Sequence, residues 1–261
     1  MSKLGSAAAV GVGVLALVCT GGGERSPEAR AAAPGAGGPA ATRAEAAVGQ
    51  GGSITGTIRF TGAKPAMPAI DMSEEAKCKA KYTAMPHEET VMVNANGTLA
   101  NVFVYVKAGL PAGASYPKPA TAVVLDQTGC HYVPHVFGIM VGQTLQIKNS
   151  DGILHNIKAK GVKNRPFNIS QPSVMTSERS FAAPEVMVPL ECNVHGWMHA
   201  WAGVLPHPFF AVSGGDGSFT IKGLPPGTYT VEAWQEKYGA QTATVTVGAA
   251  GAKQDFTFAA H

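Results

Sequence analysis

The chain has 261 residues, 45% of them apolar and only 14% charged, enough apolar content for one large or two small domains with proper cores. Its 32 glycines and 18 prolines imply many turns between short strands, so the expected fold class is all-β, and no segment shows the spacing of an amphipathic helix. A net charge of +3, scattered and without interleaved aromatics, argues against a nucleic-acid partner.

Residues 1–19 read as an export signal: Lys3, the apolar run Ala7 to Val18, then Cys19. The run is too short for a comfortable membrane span. Leu15 to Cys19 resembles a bacterial lipobox, with Val18 bulkier than the small residue usual before a lipidated cysteine. Either Cys19 carries a lipid anchor that tethers the chain to a membrane, or an ordinary signal is cut near Ala31 to Ala33. Both place the mature protein in the periplasm or at the cell surface. Residues 20–52, rich in Ala, Gly and Pro, form a tether that buries too little surface to fold.

Residues 53–110 form an N-terminal β region. Ile54 to Phe60 alternates as a strand, Asn96-Gly97 marks a hairpin turn, and Asn101 to Lys107 places Val102, Val104 and Val106 on one face. After a Pro-rich interruption, strands resume over residues 121–206: Ala122 to Leu125, Val136 to Val141, Thr144 to Asn149, Glu185 to Leu190 and Ala200 to Leu205. Lys158 to Ala183 shows no clear period, and its Lys158, Lys160, Lys163 and Arg165 make either a solvated loop or a lure for an acidic partner. Beyond Pro206-His207-Pro208, residues 207–261 give short alternating strands around Asp216-Gly217 and Pro225-Pro226-Gly227, the pattern of a small β-sandwich.

The chemistry concentrates in Glu191 to His199. Cys192, His195 and Met198 offer a thiolate, an imidazole and a thioether in one loop, a set that favours copper over zinc because a thioether is a poor zinc ligand. A fourth ligand must come from elsewhere, and His155, just past a strand and followed by Asn156, supplies it. A Cys192–His195 nucleophilic dyad would need an orienting third group and oxyanion donors that the sequence does not identify, so the chain is not read as an enzyme. With Cys19 and Cys192 assigned, Cys78 and Cys130 are left either as a disulfide in an oxidising compartment or as two buried thiols.

In this ordered context the chain resembles the cupredoxins of the amicyanin and plastocyanin type. The residues H-V-F-G-I-M-V-G-Q-T-L-Q-I-K-N-S-D-G-I-L-H-N and C-N-V-H-G-W-M match that family's strands and ligand loops over about 121–206. The resemblance implies a Greek-key sandwich holding one copper ion between His155, Cys192 and His195, with Met198 as a long axial ligand and Asn156 tying the loops together. It also implies transfer of single electrons between redox proteins such as cytochromes or oxidases. A copper-delivery protein and a structural envelope module are the other readings.

Gly217 to Trp234 resembles the carboxypeptidase regulatory-like domain, a transthyretin-like sandwich, whose opening strands lie upstream in Ile54 to Phe60 and Leu99 to Lys107. The cupredoxin segment is then either inserted into that domain or placed in tandem with it. Around the ligands, Glu191 and Asn193 flank the thiol, and Glu191 is expected to set a carboxylate near it. Gly196 and Trp197 offer a docking surface for an electron partner, and His131, His135 and His199 are spare imidazoles.

Overall fold

A computed structural model describes residues 51–260; the export signal, Cys19, nearly all of the tether and His261 lie outside the described residues. The elements in chain order are β1 (Gly52–Thr61), α1 (Ala76–Lys79), β2 (Phe103–Ala108), β3 (Val123–Thr128), β4 (His131–Val133), β5 (Val136–Met140), β6 (Leu145–Asn149), β7 (His155–Ala159), β8 (Phe167–Gln171), β9 (Met175–Arg179), β10 (Glu185–Glu191), β11 (His199–Leu205), β12 (Phe210–Val212), β13 (Ser218–Leu224), β14 (Gly227–Gln235), β15 (Gly239–Val247), β16 (Ala252–Lys253) and β17 (Phe256–Ala259). The protein is thus almost entirely β, with α1 a single turn. No helix among the described residues is long and apolar enough to cross a membrane.

Among the described residues, four sheets make two sandwiches. In one, the sheet β5-β11-β10-β7-β8 faces β4-β3-β6-β9. Strand alternation sends Leu125, Ile139, Leu145, Ile147, Ile157, Val188 and Leu190 into one core, each fully buried residue adding roughly 2 kcal/mol of apolar transfer. In the other, β1 pairs with β13, β16 and β17, and its facing sheet runs β12-β2-β14-β15. Its core gathers Ile54, Ile58, Val104, Val106, Phe219, Val231 and Phe258 from both ends of the described chain. Residues 123–205 therefore leave from β2 and return at β12 of a sandwich that the flanking segments build together.

β2 is buried on both faces, which is why it reads as an unbroken apolar run. Val104 and Val106 enter its own core, while Phe103 and Tyr105 form a third cluster with Val136, Met187 and Leu205 that joins the two sandwiches. Gly138 and Gly203 oppose each other in the parallel pair β5–β11 and give the Phe103 and Phe210 rings a flat floor. A Cβ on Gly203 would stand 2.3 Å from the Phe103 ring, and one on Gly138 2.2 Å from that of Phe210.

Lys158 to Ala183, which shows no clear period in the sequence, contains β8 and β9 as well as the end of β7. β9 is exposed along almost its whole length and presents Thr176, Ser177 and Glu178, so no apolar face announces it; its backbone pairing with β6 makes the strand.

Candidate metal centre

The loop between β10 and β11 closes on itself through two backbone bonds, Cys192 N–H to Met198 O at 3.1 Å and Met198 N–H to His195 O at 3.0 Å. This folds Cys192, His195 and Met198 inward, all at most 5% exposed. His155 opens the neighbouring strand β7, which pairs with β10, so its ring meets the loop. The Nδ1 atoms of His155 and His195 lie 2.9 Å apart, and Cys192 Sγ is 3.8 Å from His195 Nδ1. The three donor atoms fall within 4.8 Å of one another, wholly buried.

Both rings are fixed from behind. His155 Nε2 lies 2.9 Å from the Asp151 carboxylate, which can only accept, so that nitrogen carries the hydrogen and Nδ1 keeps its lone pair. His195 Nε2 faces the Cys78 sulfur at 3.6 Å and a Glu75 oxygen at 3.8 Å, again acceptors. Two Nδ1 lone pairs at 2.9 Å need something positive between them, either a proton or a metal ion. Burial alone would push the Cys192 thiol up, but the adjoining His195 side chain and the backbone N–H groups of Asn156, His195 and Val194 outweigh it and hold the thiol below its ordinary value. A thiol poised to ionise beside two convergent imidazoles fits a soft or borderline cation and gives a hard one no oxygen cage.

Asn156 performs the tying role in detail. Its Oδ1 accepts from Asn193 N–H at 2.6 Å and faces Cys192 Sγ at 3.3 Å, and its Nδ2 donates to Asn168 at 2.6 Å. Asn193 takes part through its backbone while its side chain is exposed. Glu191 differs from expectation: strand alternation turns it away from the buried Cys192, and its half-exposed carboxylate is held by Lys160 at 2.6 and 2.8 Å. Gly196 is exposed, whereas Trp197 is half-buried, its ring 5.2 Å from that of His195 and its N–H bonded to Cys130 O at 3.0 Å.

Cys78 and Cys130 form a disulfide that roofs His195. Closing a loop over their separation of 52 residues restricts the unfolded chain by about 4 kcal/mol in the chain-entropy picture. Gly129 and Cys130 make the tight turn between β3 and β4, both with positive φ, and Asp151 accepts from both of their N–H groups. Asp151, 2% exposed, also accepts from Lys81 at 2.9 Å. Burial would raise its carboxyl, yet these donors together hold it low. Asp151 went unnoticed in the sequence; it stands four residues before His155, and an acceptor-only side chain there was the available signal. Cys130, Asp151 and His155 also cluster, but the Cys130 sulfur is committed to the disulfide.

Of the other imidazoles, His131 bonds Tyr82 and the Gly129 carbonyl, His207 is buried against Phe209, and His135 and His199 meet at Glu236.

Residues 207–260 match the family model of the carboxypeptidase regulatory-like domain. No curated protein sequence matches the chain. Among solved structures it is similar to a Cu-containing nitrite reductase from Thermus scotoductus SA-01, at 21% identity and a TM-score of 0.30, covering 37% of this chain and only 25% of the reductase. It is also similar to amicyanin from Paracoccus versutus, at 20% identity and TM-score 0.30, covering 39% of this chain and 96% of amicyanin. A purple cupredoxin from Nitrosopumilus maritimus aligns at 21% identity and TM-score 0.27, covering 32% of this chain and 98% of that one.

Proposed function

We propose that the chain is an exported copper protein that carries single electrons, with His155, Cys192 and His195 as strong ligands and Met198, buried in the same loop, as the weaker fourth. The observation that carries this reading is the convergence of a low-lying thiol and two imidazole Nδ1 atoms whose far nitrogens are already occupied by acceptors. Copper held there would gain and lose one electron between Cu(I) and Cu(II).

What the chain contributes is rigidity. Asn156 locks the two ligand loops to each other, Asp151 fixes the His155 ring, and the disulfide fixes the segment over His195, so the donors keep one arrangement through a change of charge. The exposed apolar side chains Leu154 and Val194 each precede a ligand, one covalent step from His155 and His195. They support docking of a redox protein at this end of the sandwich, with Trp197 packed beneath as part of the wall. A carrier needs no bond-making residues, and the role is not enzymatic. The disulfide supports an oxidising compartment outside the cytoplasm.

Voltammetry of the copper-loaded protein tests the electron-carrying role. A reversible one-electron couple, absent from Cys192→Ser, is expected. Bound copper that shows no reversible couple but passes readily to a chelator would replace this reading with copper delivery.

A further inference from the structure

A second cluster of donors lies where the sandwiches meet. β5 and β11 are parallel neighbours, and Trp201 N–H donates to His135 O at 2.9 Å, so the residues entering the two strands, His135 and His199, stand side by side with ring centroids 4.9 Å apart. Glu236 reaches them from the turn between β14 and β15 of the other sandwich. That turn is fixed by Gln235, which is 1% exposed: its Oε1 accepts from the N–H groups of Lys237 and Tyr238, and its Nε2 donates to Thr90 O at 2.7 Å.

The orientation of the rings is the informative part. His199 Nδ1 lies 3.0 Å from the Trp197 carbonyl, which can only accept, so Nδ1 carries the hydrogen. His135 Nδ1 faces a Glu89 carboxylate oxygen at 3.8 Å. Both Nε2 atoms are thereby turned on Glu236, at 2.7 and 3.3 Å, one against each carboxylate oxygen. The three donor atoms lie within 4.8 Å of one another, and all three side chains are largely buried, His135 4%, His199 27% and Glu236 13% exposed. An imidazole held at one nitrogen by a carbonyl, as His199 is by Trp197, with the other nitrogen aimed at a point shared with a second imidazole, is the arrangement of a metal-ligating histidine. A small cavity bordered by Ile70, Glu88, Glu89 and Trp197 opens onto the cluster, adding two more carboxylates to the charge a cation would meet.

We propose that His135, His199 and Glu236 form a second metal site, for a borderline divalent ion of the zinc or copper(II) type, which clamps the two sandwiches together. Two imidazoles and one carboxylate suit such an ion and offer too few oxygens for calcium or magnesium. The site lacks a thiolate and is therefore chemically distinct from the one at Cys192, although His199 follows Met198 directly in the chain. Because the ligands come from both sandwiches, occupancy stabilises their joint by mass action.

Zinc titration of the full-length protein already loaded with Cu(I) tests the proposal, since the soft ion keeps the Cys192 site filled. One further equivalent of zinc per chain is expected, with a raised melting midpoint. Glu236→Gln and His135→Gln should each weaken that equivalent by about 100-fold or more. Wild-type protein that takes up no second equivalent overturns the proposal, as does zinc binding of unchanged affinity in both variants.

Discussion

Replacing Asp151 by Asn changes one oxygen for an NH₂ group and leaves every partner in place. All four partners of Asp151 are donors: Gly129 N–H and Lys81 Nζ on Oδ1, Cys130 N–H and His155 Nε2 on Oδ2. Asparagine can accept on one side only, and its amide then points N–H groups at two other donors. At least two charge-assisted bonds are lost at a side chain only 2% exposed, where solvent cannot replace them. At 1.5–3 kcal/mol each, partly regained by relaxation, the metal-free protein should lose about 3 kcal/mol of unfolding free energy. With the His155 ring no longer fixed, copper affinity should fall about 10- to 100-fold. Urea unfolding of the metal-free protein and competition against a Cu(I) chelator measure the two effects. A variant within about 0.5 kcal/mol of wild type, binding copper within about threefold, would refute the role given to Asp151.

The joint between the sandwiches gives a second expectation: Gly203→Ala drives a Cβ to 2.3 Å from the Phe103 ring and should cost about 1–3 kcal/mol in thermal or chemical unfolding, with no change in copper affinity. His207 sets a pH dependence. Burial lowers its pKa from 6.5 to about 4, so its contribution is fully present above 6.5 and is lost as pH falls through about 4. The drop corresponds to at most about 3 kcal/mol, and His207→Phe should flatten the stability profile across that interval.

How far the sequence revealed all this depends on whether a feature is local. Cys192, His195 and Met198 were readable because their donor chemistry and spacing sit within one loop, and His155 because it lies just past the alternating strand Leu145 to Asn149 and is followed by Asn156. The strands with one buried face, such as Leu145 to Asn149, were readable for the same reason. β9 was not, since nearly all its side chains face solvent and its pairing with β6 is a backbone property. Nothing local shows that α1 carries Cys78 over His195, a contact spanning 117 residues. Glu236 meets His135 across 101 residues and a change of sandwich. Glu191 was misjudged because adjacency in a strand means opposite faces, and Lys160, just past the end of the paired strand β7, draws its carboxylate outward.

The central claim is that Cys192 binds copper together with two imidazoles, and the visible spectrum on titration with Cu(II) tests it most directly. An intense thiolate-to-copper band that saturates at one equivalent, and that Cys192→Ser abolishes, is the predicted result. Folded protein that takes up copper with no such band, or whose spectrum is unchanged by Cys192→Ser, would contradict it.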